Sequence, residues 1–336
     1  MTKTSNKTIL IFLIVSAITI SLLTSGCSGV GGQKKENKEQ LPEDYRTGTQ
    51  GLYMEFMPNM PPAKLYAEDP ESLQVLVRIQ NKGAQDILST SSDMRIQLQG
   101  FDPRLIPMTP DQSMLGSTLA GKSTPYPQGA MGFMQWKATA IEFPGNTFSP
   151  VFQATVCYKY QTIATPLVCI DPNPYTAIAQ DKVCTVHDIP LAGGQGGPVA
   201  VTKIEESINQ KTKKVLFRIY VANVGGGTVL SPTSARAMDN CRQKTLGVSD
   251  IDRVKIRPSL GKGPEVVCSP DEIFLINGQG VATCEMSFAD VASAGQSQTA
   301  YLTQLKIILD YGYTSSISKP VQIITMGTAR DGRQNP

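Results

Sequence analysis

The sequence predicts an all-β protein: two β-sandwich domains in tandem, 51–192 and 198–336, behind a leader and a flexible tether. Three observations carry that prediction. Short segments of alternating apolar and polar residues, bounded by turn residues, recur from residue 51 onward. One strand pattern and one later tyrosine pattern each occur twice, at similar spacing. Gly and Pro, 29 and 23 of 336 residues, leave no stretch with a sustained helical period; Phe288 to Gly295 has room for a turn or two.

The N-terminal segment reads as an export leader, 1–26. Lys3 and Lys7 form a basic start, Ile9 to Leu23 is an apolar run, and no Asp or Glu precedes Glu36. Leu23-Thr24-Ser25-Gly26-Cys27 resembles the lipobox of prokaryotic lipoproteins, with the usual leucine one place early. That resemblance implies cleavage before Cys27, a lipid on its sulfur, and a membrane partner reached through that lipid. The alternatives are an uncleaved transmembrane anchor and free secretion. The lipoprotein and anchor readings both place the rest of the chain outside the membrane. Residues 27–50 are Gly-, Lys- and Glu-rich and supply little that could enter a core, so they read as a tether. Losing the leader removes Lys3 and Lys7 and lowers the net charge from +3 to +1, which offers no electrostatic case for nucleic acid.

Beyond the tether, Leu73 to Ile79 and Met94 to Leu98 alternate with period two. Val77-Arg78-Ile79-Gln80-Asn81-Lys82-Gly83 recurs 142 residues later as Ile219-Tyr220-Val221-Ala222-Asn223-Val224-Gly225. This is a half-buried strand ending in a turn, with Asn expected to close the turn and Gly to supply a positive φ. Tyr158-Lys159-Tyr160 and Val168-Cys169-Ile170 are answered 153 residues later by Tyr311-Gly312-Tyr313 and Val321-Gln322-Ile323. Each pair is expected to form a closing hairpin whose tyrosines share a face. Gly193-Gly194-Gln195-Gly196-Gly197 is followed by Pro198 and a strand pattern, not by a helix, so it reads as a linker and not as a phosphate loop.

The strand ending in Asn-x-Gly, present twice behind a lipobox, resembles the immunoglobulin-like, CARDB-type modules of archaeal and bacterial surface lipoproteins. The resemblance implies adhesion or scaffolding, with no shared catalytic residues to carry over.

With Cys27 assigned to lipid, Cys157, Cys169, Cys184, Cys241, Cys268 and Cys284 remain, an even number in an exported chain. Cys157 and Cys169 are both replaced in the second copy, by Asp310 and Gln322, which predicts that they bond to each other. Cys268 and Cys284 flank one turn and are expected to pair locally. Cys184 and Cys241 remain for the third bridge. No Cys-x-x-Cys occurs, and His187 is the lone histidine, so no metal is expected.

Catalytic patterns are scarce. His187 has no Gly-x-Ser-x-Gly elbow to serve. Glu205-Glu206 and Asp250-x-Asp252 pair carboxylates in sequence, but neighbours on a strand point to opposite faces, and no EF-hand loop follows Asp252. Two apolar groups, Tyr53, Met54, Phe56, Met57, Met60 and then Met131, Phe133, Met134, Trp136, read either as core or as a docking surface. No catalytic residue and no cofactor is expected. The reading is a non-enzymatic, lipid-anchored protein of the outer membrane face or envelope that binds a protein or surface polymer. The alternatives are a structural envelope or filament element built by strand addition, and a hydrolase, which needs a cleft with converging carboxylates. Cys27→Ser is expected to release the protein from membranes or leave an unprocessed precursor; wild-type fractionation and mobility in the variant would refute the lipobox.

Overall fold

The computed structural model describes residues 45–90, 92–111, 115–174, 182–234, 246–261, 265–288 and 300–326. The leader, Cys27 and most of the tether lie outside them. Among the described residues no helix is long and apolar enough to cross a membrane. The described residues all fall in one compact unit.

Apart from the 3-10 turn Pro70–Ser72, the regular elements described are strands. The first half contributes β1 (Leu52–Phe56), β2 (Lys64–Tyr66), β3 (Gln74–Asn81), β4 (Ile87–Leu88), β5 (Met94–Gln99), β6 (Met108–Asp111), β7 (Thr118–Leu119), β8 (Met131–Ala138), β9 (Thr147–Phe148), β10 (Val151–Ala164) and β11 (Leu167–Ile170). The second contributes β12 (Ile189–Pro190), β13 (Val199–Asn209), β14 (Lys214–Asn223), β15 (Thr228–Leu230), β16 (Arg253–Ser259), β17 (Val267–Ser269), β18 (Glu272–Phe274), β19 (Gln279–Ser287), β20 (Tyr301–Gln304), β21 (Lys306–Pro320) and β22 (Gln322–Ile324).

Period-two alternation builds the core. Val75, Val77 and Ile79 of β3, Met134 and Trp136 of β8, and Val215, Phe217, Ile219 and Val221 of β14 are all buried. Burying each such side chain stabilises by roughly 1.5–3 kcal/mol. One sheet, β1-β3-β8-β6, belongs to the first half, and another, β12-β13-β14-β19-β17, to the second. Between the halves runs a shared sheet, β18-β16-β21-β10-β5, with β15 also on β21. Its centre is the antiparallel pair β10–β21, in register from Val151 opposite Pro320 to Ala164 opposite Ile307. The result is sandwich-like and all-β, with one hydrophobic cluster drawn from both halves.

In this ladder Tyr158 faces Tyr313 and Tyr160 faces Tyr311, so Lys159 faces Gly312. The repeated Tyr-x-Tyr thus pairs with its own copy, and the four rings pack with centroids 5.8 to 6.4 Å apart. Each hydroxyl accepts a backbone N–H from its half: Leu52 to Tyr158 at 3.1 Å, Gln85 to Tyr160 at 3.1 Å, Val199 to Tyr311 at 3.2 Å, Gly227 to Tyr313 at 2.6 Å. Burial raises the phenol pKa values, that of Tyr160 to about 12, so all four stay neutral donors and acceptors.

The Asn-x-Gly turns have matching bonds. Asn81 accepts from the Gly83 N–H and donates to Gln85 O, and Asn223 accepts from the Gly225 N–H and donates to Gly227 O. The expected positive φ is not found at Gly83 or Gly225. These glycines are needed for space: a Cβ on Gly83 would meet the Tyr160 hydroxyl, and one on Gly225 the Tyr313 hydroxyl.

The closing hairpins are also replaced by something else. β11 does not fold back on β10. Thr165-Pro166 leads the chain across to β20 of the second half, with Cys169 opposite Leu302 and the Leu305 N–H donating to Pro166 O at 2.9 Å. Reciprocally, β22 leaves β21 to pair with β9 and β2 of the first half, and the Val321 N–H donates to Pro150 O at 3.0 Å. Each half therefore gives its last strand to the other.

This crossover overturns the Cys157–Cys169 pairing. β10 runs unbroken for about 20 Å beyond Cys157, too far for Cys169 to return within bonding distance. Cys169 bonds Cys184 instead, with Cα atoms 5.8 Å apart, and this excludes the expected Cys184–Cys241 bridge. Cys268–Cys284 forms as expected, between directly opposite residues of β17 and β19. Cys157 is also disulfide-bonded; Cys27 and Cys241 lie outside the described residues.

Tyr158→Phe and Tyr311→Phe each strand a buried backbone N–H and are expected to cost about 1–3 kcal/mol, seen as a lower midpoint in thermal or denaturant melts. Tyr126→Phe, at a half-exposed ring, is the control expected to change nothing.

Candidate binding surface

Alternation along β1, β3 and β8 divides the two apolar groups singled out in the sequence. Met54, Met134 and Trp136 are buried, and Phe56 packs partly against the core. Tyr53, Met57, Met131 and Phe133 lie on the opposite face. Leu76 joins them there, a residue the sequence reading did not select although it is out of phase with Val75 and Val77. Met131 is 52% exposed.

The register orders this outer face. Tyr53, Gln80 and Met131 form one row across the sheet, and Glu55, Arg78 and Phe133 form the next. Arg78 Nη2 lies 2.7 Å from Glu55 Oε1, and the Tyr53 hydroxyl donates to Glu55 Oε2 at 3.2 Å. Lys82 Nζ sits 3.7 Å from the Tyr53 ring centroid. Arg78 Nε is buried without a hydrogen-bond partner. The surface is thus a fixed ion pair rimmed by aromatic and thioether side chains, amphipathic and able to pack on a partner's apolar groups while its edges hydrogen-bond.

The corresponding face of the second half is charged. Lys203 bridges Asp188 and Glu205 at 2.8 Å each, and Arg218 approaches Glu205 at 3.2 Å. A depression of about 370 Å³ there is lined by Asp188, Glu205, Ser207, Leu216, Arg218 and Thr283 among others.

Other sequence candidates have structural duties. Glu205 and Glu206 diverge as neighbours on a strand must. Glu206 turns inward, 7% exposed, and its Oε2 accepts the Cys169 N–H at 3.2 Å, while Oε1 is buried without a partner. It thereby holds the crossing strand β11. Burial pushes its pKa up to about 7, against smaller lowering by the Cys169 N–H and His187. His187 is exposed, its Nδ1 2.9 Å from Thr185 O. Asp250 is buried and accepts from the Ser234 hydroxyl and the Gly247 N–H. Gly193–Gly197 is a junction turn: Gln195 clamps Val201 through both backbone groups, and Gly196 O accepts from the Tyr160 hydroxyl. Among the described residues no group of three or more His, Cys, Asp or Glu is placed to hold a metal ion. Cys27 and Cys241 lie outside the described residues.

No family model matches the sequence. No curated protein matches it either. Among solved structures, a chain named BspA_C_WT aligns over 83% of this chain and 96% of its own, at 9% identity and a TM-score of 0.13, a likeness too slight to carry an argument.

Because the folded Glu206 pKa lies above its ordinary value of 4.5, this carboxyl contributes stability at low pH that is lost as pH rises from about 4.5 through about 7. The full loss is ~3 kcal/mol. Glu206→Gln is expected to match wild type near the acid end of that window and to melt higher at pH 8, which a pH series of thermal melts reads directly.

Proposed function

We propose that the protein is a non-catalytic, lipid-anchored surface protein that presents its two sandwich halves for binding or adhesion, with the outer face of β1-β3-β8 as the contact surface. The observation that carries this reading is the division of one strand set into two apolar faces. Met54, Val77 and Met134 fill the core, while on the other face Met131 is exposed and Tyr53, Met57, Leu76 and Phe133 are half-buried around the Glu55–Arg78 pair. Apolar side chains on the solvent side add nothing to the core, and a patch of them is characteristic of recognition surfaces. The disulfides support an oxidising, extracytoplasmic setting. The lipobox supports attachment to the membrane through Cys27; because Gly48 is bonded into the fold, the tether on this reading ends before residue 45 and gives a lead of roughly 20–25 Å. The partner on this reading is a protein or a surface polymer, met through stacking and thioether contacts.

Met131→Asp with Phe133→Asp is expected to leave the melting temperature within about 2 °C of wild type and to abolish cross-linked capture of the partner from intact cells. Met134→Asp, in the core, is expected to unfold the protein. Capture that survives the outer-face substitutions in a folded chain refutes this surface.

A further inference from the structure

The two halves treat one sheet edge differently. β5 and β16 occupy equivalent places: Arg95 stands opposite Cys157, and Lys255 opposite Asp310, 153 residues further on. In the second half that edge is closed. β18 pairs antiparallel with β16, the Ile256 N–H donates to Asp271 O at 2.9 Å, and Pro258 has no N–H to offer. In the first half, among the described residues, β5 ends the sheet. Its sequence, Met94-Arg95-Ile96-Gln97-Leu98-Gln99, has no proline and one charge, so it lacks the usual protections of an edge strand.

The hydrogen-bond phase shows what this edge offers. The Lys159 N–H donates to Asp93 O at 2.9 Å, at the next position of the β10–β5 register. Arg95, Gln97 and Gln99 therefore exchange bonds with β10, while Ile96 and Leu98 turn their N–H and C=O groups outward. Ile96 is the counterpart of Ile256, whose N–H is satisfied within the chain.

We infer that β5 pairs with β5 of a second copy of this chain, antiparallel and centred on Gln97. In that register Ile96 of each copy meets Leu98 of the other on the core side, since they stand beside the buried Val156 and Ala154 of β10. On the outer side Arg95 meets Gln99, and Gln97 meets Gln97. All four outward backbone groups of Ile96 and Leu98 in each copy are satisfied, apolar faces apolar, and no like charges meet. This self-complementarity selects a second copy over an unrelated peptide. The contact is isologous, so it closes as a pair and does not polymerise. It stands independently of the outer-face reading above.

The detergent-solubilised full chain is expected to have the mass of two chains by light scattering. Gln97→Glu and Gln97→Lys each put like charges on the axis and are expected to weaken association about tenfold, and an equal mixture of the two variants is expected to restore it. In the wild type, the Ile96 and Leu98 amides are expected to exchange hydrogen slowly when concentrated and faster on dilution, a reading that holds even if a variant fails to fold. A monomeric wild type overturns the inference, including one whose β5 is protected only by another protein. So does a dimer indifferent to both charges whose Ile96 and Leu98 amides exchange freely.

Discussion

The β10–β21 ladder is the constraint on which the rest depends. Two long strands, one from each half, lie antiparallel over 14 residue pairs, and four tyrosines stand on one face at their centre. The phenols do two jobs. Their rings fill the space between the shared sheet and the outer sheets, and their hydroxyls satisfy backbone groups at the start of β1, at the start of β13, and at both Asn-x-Gly turns. A buried N–H without a partner is costly, so each tyrosine fixes where its half's first strand and turn must sit. The glycines next to these hydroxyls leave room for that approach.

Reciprocal exchange of β11 and β22 makes the two halves interdependent. β11 pairs with β20 of the second half, and β22 with β2 and β9 of the first. β11 is further held by the Glu206 carboxyl and by the Cys169–Cys184 bond. In the chain-entropy picture a loop of this size contributes about 3 kcal/mol, and here it ties the crossing strand to the segment that leads into the second half. The buried Oε1 of Glu206 opposes this at higher pH, so the contact that holds β11 is also one that titrates.

The same alternation that builds the core leaves different outer faces on the two halves. On β1-β3-β8 it leaves an exposed methionine with half-buried tyrosine and phenylalanine around one ion pair. On β13-β14 it places Lys203, Glu205 and Arg218 in one ion network, which Asp188, just before β12, joins through Lys203. The framework is common to both halves, and what distinguishes them lies at surfaces and edges, as β16, covered by β18, and β5, which ends its sheet among the described residues, also show.

Strand character, the repeat and the role of Asn81 and Asn223 were legible in the sequence, because they depend on period-two alternation and on bonds made within a few residues. The Cys268–Cys284 bond was legible for the same reason: its partners flank one turn. The meeting of Tyr158-x-Tyr160 with Tyr311-x-Tyr313 was not, since nothing in a repeat states whether its copies stand apart or pair. The Cys169–Cys184 bond, the inward turn of Glu206 and the use of Gly83 and Gly225 for close approach all depend on where β11 crosses and where a distant hydroxyl lies. Local chemistry thus determined the kinds of element, and only long-range strand pairing decided which element met which, because backbone hydrogen-bonding groups are the same at every residue and carry no address until side chains pack.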